Sequence, residues 1–376
     1  MKIVHIVNLA DAQSIPLELA LAIRHRLPQT VVAGFYAQGD HPADHPDDAV
    51  VSLGARKAWD LRAVRRLARL IRVEQPDIIH VHHSVSALWA TLIGLARFRR
   101  PLLIKTEHND HRFLPWHQHV INALIYPVLS RIICNSDSTQ ASFTPLERWL
   151  AGGRSLRIYN GVDLRKVRTN VTPAQTPGDS IVIGNIGRLV AQKNQARLIA
   201  GLAIARARTG RDIRLEIIGH GPLRQNLEQA ARAAGVAASV HFSGALPRKS
   251  VYARLSGWQG FVMASTFEGF GNALVEAMAI GLPVAVSDID TLREVADTGA
   301  MRFDPTNPEA IGQAISELAM QPHSSGQFAN RYGIEHAVEH HISLYKSLLH
   351  ARRLPSGVGR HNNSVAREQT DPTGDI

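Results

Sequence analysis

Short apolar runs alternate with amphipathic stretches along most of the chain. In the first half, runs rich in Val and Ile predict β-strands, and these runs are KIVHIV, TVVAGFYA, IIHVHH, LLIKTEH, RIICNS and LRIYNGV. Between them, apolar residues recur at helical spacing, as in LELALAIRHRL and LRAVRRLARLIRVE. Regular alternation of strand and helix predicts a parallel sheet with helices on both faces.

The alternation restarts in the second half, with the runs SIVIGNIGRL, RLEIIGHG, SVHFSG, GFVMAS and PVAVS. A chain of 376 residues is also long for one core. We therefore predict an α/β protein with two doubly wound, Rossmann-like domains, 1–169 and 170–329, with the aperiodic segment NVTPAQTPGD at the boundary. A helix at about 330–351 is expected to pack back on the first domain, and 352–376 is expected to be a disordered tail.

The stretch STFEGFGNALVEAMAIGLPVAVS combines a strand end, a glycine-rich turn and a short helix. The helix is predicted from about Asn272 to about Ile280, because Gly281 suits the position after a helix and Pro283 prevents its continuation. Free N–H groups and a positive dipole end make a helix N-terminus an anion site. Open α/β sheets bind ligands at the carboxyl ends of their strands, where this turn lies.

Two glutamates flank the turn. Glu268 precedes it, and Glu276 lies about one turn into the helix. Carboxylates accept hydrogen bonds from hydroxyl groups, so two of them around an anion indicate a nucleotide-sugar site, with one on the hexose and the other on the ribose. The plainer alternative is a helix cap and a surface glutamate.

Further loops follow strands in the second half. GRLVAQKN carries Arg188 and Lys193, which suit a diphosphate because each donates to phosphate oxygens and adds positive charge. Ordinary surface charge is the alternative for both. IIGHGP places Gly219 and Gly221 where backbone can approach a ligand closely.

These motifs resemble the glycosyltransferase family 4 group, which has the GT-B fold of two Rossmann-like domains facing a cleft. The resemblance is carried by EGFGNALVEAMAIGLPVAVSD at 268–288, together with GNIGRLVAQKN, IIGHGP, HFSGALP and NGVD. It covers nearly all of the second domain. The first domain is similar more loosely, through IIHVHH and KTEH.

The resemblance implies a retaining hexosyltransferase. We expect it to need no metal or other cofactor, because Arg188, Lys193 and the helix N-terminus can supply the positive charge. Glu276 would hold the ribose, Glu268 the transferred sugar, and Arg188 and Lys193 the departing diphosphate, with His108 beside the donor sugar. The implied catalytic residues are His108, Glu268, Arg188 and Lys193. The implied donor-binding residues are Gly187, Gly219, Gly221, Ala245, Leu246, Phe270, Gly271, Asn272, Ala273, Leu274 and Glu276.

Two places depart from the family pattern. The first strand is followed by NLADAQSIP rather than a Gly-Gly turn, and the contact usually made there is expected around Ser14. In SDID, Asp290 and Thr291 replace a glycine pair. We expect no metal at Asp288 and Asp290, and none at His80, His82 and His83, which lack a carboxylate or cysteine at metal-like spacing.

The composition narrows the function classes. The formal net charge is +10 and the pI about 10.1. This positive charge indicates a surface that keeps the protein soluble, binding of nucleic acid, or attraction to an anionic lipid or substrate. A zinc-finger, helix-turn-helix or RNA-binding aromatic signature is not seen, so nucleic acid is not an expected partner. The one cysteine, Cys134, is expected to be buried, and neither a signal peptide nor a transmembrane run is apparent.

Part of the charge lies on one predicted helix, ARKAWDLRAVRRLARLIRVEQP, whose apolar positions are Leu61, Val64, Leu67, Ala68 and Ile71. Its basic face is either solvated or directed at anionic lipid. FLPWHQHVINALIYPVL is either core or the approach of a lipid-linked acceptor.

We predict a cytoplasmic glycosyltransferase, at the inner membrane face if the lipid interpretation holds. It would move a hexose from a nucleoside-diphosphate sugar to a lipid-linked or polysaccharide precursor. A nucleotide-sugar epimerase, a basic nucleic-acid-binding protein and an inactive sugar-nucleotide sensor are the alternatives.

Overall fold

A computed structural model describes residues 1–9, 14–37, 50–171, 180–321 and 326–353. Within these ranges the chain forms two parallel β-sheets with helices on both faces of each. The predicted α/β class with two doubly wound sheets is confirmed. Most of the predicted boundary segment, 172–179, and the tail from 354 onward lie outside the described residues.

The first sheet has seven strands in the order β3-β2-β1-β4-β5-β6-β7, all parallel. The strands are β1 Ile3–Val7, β2 Thr30–Tyr36, β3 Val50–Ala55, β4 Ile78–Val81, β5 Leu102–Glu107, β6 Arg131–Cys134 and β7 Ser155–Arg157. β1 and β4 are buried along their whole length, as expected of inner strands covered on both faces. Cys134 is buried at the end of β6, as expected.

The second sheet has six strands in the order β10-β9-β8-β11-β12-β13, also parallel. The strands are β8 Ile181–Ile186, β9 Ile213–Ile218, β10 Val240–Gly244, β11 Gly260–Met263, β12 Val284–Ser287 and β13 Met301–Phe303. β8 and β11 are neighbours at the centre although two strands separate them in sequence. This change of direction places a crevice at their carboxyl ends.

Fourteen α-helices lie among the described residues. Those associated with the first sheet are α1 Ile15–Arg26, α2 Leu61–Glu74, α3 Ser84–Leu95, α4 Trp116–Ile125, α5 Asp137–Ala141 and α6 Pro145–Ala151. The others are α7 Leu164–Thr169, α8 Gln195–Thr209, α9 Arg224–Ala233, α10 Arg248–Leu255, α11 Asn272–Ala279, α12 Asp290–Val295, α13 Pro308–Leu318 and α14 Ile334–Arg353. None of the described helices is both long and apolar enough to cross a membrane.

The last of the described helices, α14, packs against the first sheet although it follows the second. Its buried residues Val338, Tyr345 and Leu348 share an apolar cluster with Ile3 of β1 and Ile78 of β4. The chain crosses between the sheets at a short parallel bridge that pairs Val162 with Gly333. The core of the first half is therefore completed by a helix that follows the second sheet in the sequence.

The basic helix α2 differs from its predicted packing. Leu61 was assigned to the apolar stripe but is 58% exposed, whereas Ala63 is buried together with Leu67 and Ile71. The N-cap explains the shift, because Asp60 accepts hydrogen bonds from the first amides of the helix and leaves Leu61 at its solvent-facing start.

Candidate functional site

A cleft of about 580 Å³ opens between the carboxyl ends of the two sheets. The loops that follow β4, β5, β8, β9, β10 and β11 line it. Of the sequence-predicted site residues, all except Gly221 and Leu274 contribute to its lining. Ser14 lines it as well and caps α1, while the preceding residues 10–13 lie outside the described part of the chain.

The glycine turn between β11 and α11 forms one wall of the cleft. Gly271 is the N-cap of α11 and has φ +97°, a conformation that favours glycine. The first amides of the helix have no intrahelical partner and point out of its N-terminus. The predicted end of the helix is confirmed, because Gly281 has φ +78° and its N–H donates to the Met278 carbonyl.

Glu268 and Glu276 both line the cleft; Glu268 precedes the N-cap of this helix and Glu276 lies about one turn inside it. Glu268 is 7% exposed, pairs with the Lys193 ammonium, and accepts a hydrogen bond of 2.7 Å from Ser265 Oγ. Glu276 is 6% exposed, and Tyr252 OH lies 3.4 Å from its Oε1. The protein satisfies the Glu276 carboxylate only weakly, so its oxygens can accept hydrogen bonds from a ligand.

The loop after β8 supplies the two basic residues predicted for a diphosphate. Arg188 is exposed at the cleft, and Lys193 is mostly buried and paired with Glu268. Gly187 lies beneath Lys193, whose Cδ would be 3.2 Å from a Cβ at that position. The pairing was not expected, because sequence motifs assigned Lys193 and Glu268 to different parts of the ligand.

Gly219 and Gly221 serve different purposes. Gly219 lines the cleft, has φ +147°, and lies so close to Gly187 that a Cβ would be 2.0 Å from the Gly187 carbonyl oxygen. Gly221 instead packs on the backbone of Leu189 and is not among the lining residues. The Leu274 side chain is fully buried in the core, and its amide donates to the Gly271 carbonyl.

The first sheet contributes histidines to the opposite wall. His108 follows β5, and its Nε2 lies 3.1 Å from Nδ1 of His82, which follows β4. Burial lowers the pKa of His108 to about 4, so the ring is neutral at physiological pH. His83, the N-cap of α3, also lines the cleft.

The glycine turn also carries the contact between the two halves of the molecule. A Cβ at Gly269 would lie 1.8 Å from the His108 carbonyl oxygen, so only glycine permits this approach. Ser136 Oγ donates to the Gly269 carbonyl at 2.8 Å. Nearby, the Glu294 carboxylate accepts from the amides of Asp137 and Ser138 at 2.7 and 2.9 Å.

Arg248, the first residue of α10, was not among the predicted site residues. Its guanidinium lies 3.7 Å from Glu276 Oε1 and 2.5 Å from Glu18 Oε2, and Glu18 belongs to α1 of the first half. Although burial opposes the charged form, Glu276 and Glu18 raise the pKa of Arg248. Burial raises the pKa of Glu276, and Arg248 opposes that shift. The only available signal was an arginine just past a strand-end loop.

Behind the cleft, the first half contains a buried charged network. Lys105 pairs with Glu107, and Tyr126 OH donates to Glu107 Oε1 at 2.6 Å. Burial of His111 disfavours its charged form, but hydrogen bonds to Glu107 and Glu147 raise the pKa of His111 to about 9. This network fixes the loop that follows β5 and leads from His108 into α4.

Among the described residues, two groups of side chains each bring three potential metal-ligating atoms within 4.8 Å of one another. The first group is His5, His80 and His82. The second group is His111, His119 and Glu147. Internal hydrogen bonds engage atoms in both groups. His5 Nδ1 lies 3.4 Å from His82 Nε2, and Glu147 Oε1 lies 3.1 and 3.0 Å from Nδ1 of His111 and His119.

Asp288 and Asp290 lie outside the cleft lining. Both are about half exposed and pair with Arg293, and Asp290 also contacts Arg112. The carboxylates of the D-x-D sequence, Asp288 and Asp290, are therefore already paired with arginine side chains.

Comparison with known proteins gives matches in both halves. Residues 168–335 match the family model "Glycosyl transferases group 1", and residues 17–166 match "Glycosyltransferase Family 4". The 2-deoxystreptamine glucosyltransferase of Streptomyces kanamyceticus is 24% identical over 333 residues, 80% of this chain and 85% of that protein. The GDP-mannose:cellobiosyl-diphosphopolyprenol alpha-mannosyltransferase of Xanthomonas oryzae pv. oryzae is 27% identical over 314 residues, 76% and 78% of the two chains.

Solved structures show the same fold. The Anabaena protein HepE, solved in complex with UDP and glucose, superposes with a TM-score of 0.75 at 16% identity, covering 92% of this chain and all of that one. The apo form of WaaB, a lipopolysaccharide outer core galactosyltransferase, gives a TM-score of 0.68 at 17% identity, over 94% of this chain and 100% of that one.

Proposed function

Since the chain belongs to the family 4 type of GT-B glycosyltransferases, we propose that it transfers a hexose from a nucleoside-diphosphate sugar to a lipid-linked hydroxyl acceptor, with retention of configuration and without a metal ion. Glycosyltransferase activity follows from the family. The donor, acceptor, stereochemistry and metal independence are the proposal.

One observation carries the proposal for the donor. Glu268 and Glu276 line one cleft together with the N-terminal residues of α11, Asn272 and Ala273. In this arrangement the diphosphate lies at the helix N-terminus, Glu276 accepts from the ribose hydroxyls, and Glu268 faces the hexose. Similar proteins support such a donor, because several are GDP-mannose-dependent enzymes and HepE was solved with UDP.

The proposed reaction replaces one bond to the anomeric carbon with another on the same face. The bond from C1 to the phosphate oxygen breaks, a bond from C1 to the acceptor oxygen forms, and the acceptor proton passes to the departing phosphate. Arg188 and the α11 amides stabilise the charge that develops on the diphosphate. Lys193 holds Glu268 in place and adds positive potential.

A lipid-linked acceptor is supported by an exposed apolar stripe on α4. Trp116, Val120 and Leu124 are 77%, 48% and 64% exposed, and their spacing places them on one face of the helix. α4 begins eight residues after His108, which lines the cleft. Exposed apolar surface of this kind is typical of lipid or partner contact.

The basic helix α2 supports attraction to anionic lipid. Arg62, Arg65, Arg69 and Arg72 are exposed along it, whereas Arg66 donates to the Leu53 carbonyl at 2.9 Å. We propose that the protein is peripheral at the inner face of the cell membrane. Clusters of basic residues bind anionic lipid surfaces and are screened by salt.

Metal independence is supported by the D-x-D carboxylates, which pair with arginine outside the cleft lining. The positive charge that a divalent cation would bring is available from Arg188, Lys193 and the helix N-terminus.

Incubation of the purified protein with UDP-, GDP- and ADP-sugars in excess chelator tests the donor and the metal together. We expect slow hydrolysis of one donor class without acceptor, unchanged by chelator. Hydrolysis that is lost in chelator and restored by magnesium would contradict metal independence. Isomerisation of the sugar without hydrolysis would favour the epimerase, and salt-resistant binding of DNA or RNA would favour the nucleic-acid alternative.

Vesicle flotation tests the membrane contact. Anionic lipid should increase flotation, and Leu124→Ser or neutralisation of Arg65 and Arg69 should reduce it. The matched control is Arg214→Gln, a half-exposed arginine on β9 of the second sheet. Equal flotation of all variants would refute this contact surface.

A further inference from the structure

A second cavity, of about 550 Å³, lies at the end of the first sheet where its strands begin. It is lined by residues 75–77, which lead into β4, by residues 96–101, which lead into β5, and by α14 near Arg353. The cleft, in contrast, opens where β4 and β5 end. The two cavities share no lining residue, so the second one is separate from the candidate donor site.

The second cavity is strongly positive, because five arginines line it, and these are Arg97, Arg99, Arg100, Arg352 and Arg353. Asp77 is the one carboxylate of its lining, and it already accepts from the Lys2 amide at 2.8 Å. Within the described residues, none of the five guanidinium groups has an ion pair or a hydrogen bond. A single unpaired arginine is ordinary surface charge, but five around one cavity repel one another.

Helix ends account for part of this charge. α2 and α3 end beside the cavity, and a helix C-terminus carries about −0.5 of an elementary charge, which favours a nearby arginine. With α14 counted as a third such end, and with Asp77 included, the arginines still leave an excess of about 2.5 positive charges. Glu74, at the end of α2, pairs with Lys2 and does not line the cavity. The excess therefore lacks a partner within the described part of the chain.

The chemistry of the guanidinium group favours phosphate as that partner. Its planar fork donates two parallel hydrogen bonds to two oxygens of one phosphate group. The arginines come from two separate segments, 97–100 and 352–353, that line one cavity. A ligand with two phosphate groups can engage both segments and neutralise most of the excess charge.

The remaining lining is largely apolar. Ile71 and Pro101 are buried, Leu349 is half-buried, and Phe98 is fully exposed. An exposed apolar side chain beside basic residues is typical of contact with the headgroup region of a membrane. The phosphate groups can therefore come from a lipid headgroup as well as from a soluble compound.

We propose that this cavity, the arginine pocket, is a phosphate-binding site whose ligand carries at least two negative charges. It differs from the basic face of α2, since an exposed face responds to the total charge of a surface, whereas a cavity distinguishes ligands by the charge on each molecule. Glycosyltransferase activity is not a premise, because no residue of the cleft takes part.

Titration calorimetry with pyrophosphate tests the arginine pocket without lipid. The test variant combines Arg100→Gln and Arg353→Gln, which change one exposed arginine in each segment. Its matched control combines Arg208→Gln and Arg232→Gln, two exposed arginines of α8 and α9 that line neither cavity. We expect about tenfold weaker pyrophosphate binding in the test variant, because charge-assisted hydrogen bonds are lost at solvent-exposed positions. The control should bind as the wild type does.

The proposed function makes the cleft another site for pyrophosphate, so the comparison is repeated in an Arg188→Gln background. We expect the loss in the test variant to persist there, because Arg188 lies in the cleft. If Arg188→Gln alone leaves pyrophosphate binding unchanged, the proposed role of Arg188 fails, whereas the difference between the test and control variants still decides the arginine pocket.

Vesicle flotation distinguishes a lipid ligand from a soluble one. Two preparations have equal surface charge, one from phosphatidylglycerol and the other from half as much cardiolipin, which carries two phosphate groups. A lipid ligand predicts better flotation with cardiolipin, and this preference should be lost in the test variant, reduced in Phe98→Ser and kept in the control. Phe98→Ser should leave pyrophosphate binding unchanged.

A soluble ligand predicts the same loss of pyrophosphate binding in the test variant, but equal flotation with the two lipids. Either pattern supports a phosphate site at the arginine pocket and identifies the source of the phosphate. If the test and control variants bind pyrophosphate equally and float equally with both lipids, the proposal is overturned.

Discussion

Replacement of Glu276 by glutamine tests the donor site most directly. The Glu276 carboxylate is buried at the cleft, and its nearest partners are Tyr252 OH at 3.4 Å and the Arg248 guanidinium at 3.7 Å. Both distances are long for hydrogen bonds, so most of its accepting capacity is left for a ligand. Glutamine keeps the shape of the side chain, so Arg248 stays covered.

The expected loss of nucleotide affinity in Glu276→Gln follows from the loss of negative charge on the side chain. Hydrogen bonds to a charged acceptor contribute about 1.5–3 kcal/mol and neutral ones about 0.5–1.5 kcal/mol, so each bond to the ribose weakens by about 1 kcal/mol. Two such bonds give about 2 kcal/mol, or about 30-fold weaker binding of a nucleoside diphosphate.

Titration calorimetry with UDP, GDP and pyrophosphate separates the ribose from the phosphates. We expect Glu276→Gln to weaken nucleoside-diphosphate binding and to leave pyrophosphate binding unchanged. The control is Glu216→Gln, a buried glutamate on β9 of the second sheet that accepts from Trp258 at 2.8 Å and does not line the cleft. Unchanged nucleotide affinity in Glu276→Gln, or an equal loss for pyrophosphate, would refute the ribose assignment.

Three further predictions concern the contact between the halves, the buried ion pair and the neutral histidines. Gly269→Ala should lower turnover about 100-fold, because the new Cβ meets the His108 carbonyl and displaces the turn, and near-normal rates in a coupled assay would contradict this. Lys193→Met should lower turnover about 10²–10³-fold, as measured with the preferred donor, and a loss below tenfold would argue against its electrostatic role. Burial lowers the pKa values of His5, His108 and His341 to about 3, 4 and 4, so the unfolded chain binds protons below about pH 6.5 before the folded one does. The free energy of unfolding in urea should therefore fall between pH 6.5 and 4, by up to about 1.4 kcal/mol per pH unit for each histidine, and a flat profile would show that these rings are already protonated in the folded state.

The local signals in the sequence predicted the donor side of the cleft well. A glycine at each end of α11 and a proline beyond it define the helix without help from the rest of the chain. The predicted GT-B architecture is confirmed by the likeness to solved structures. The roles assigned to individual residues remain predictions.

Features that depend on distant contacts were missed. β3 has exposed Val51 and includes Ser52 and Gly54, so it lacks the apolar pattern of an inner strand. The pairing of His5 with His82 spans 77 residues, and that of His5 with Tyr345 spans 340. No local pattern can report such contacts, because tertiary packing alone brings these side chains together.

The packing of α14 on the first sheet has a consequence for synthesis of the protein. The apolar cluster that includes Ile3, Leu19 and Ile78 is closed by Tyr345 and Leu348, which are made only after the whole second sheet. At about 5–20 residues per second, the first half waits roughly 10–40 s on the ribosome with that surface uncovered. The N-terminal half therefore cannot complete its folding as it is made, and a chain terminated before α14 would be a substrate for chaperones and proteases.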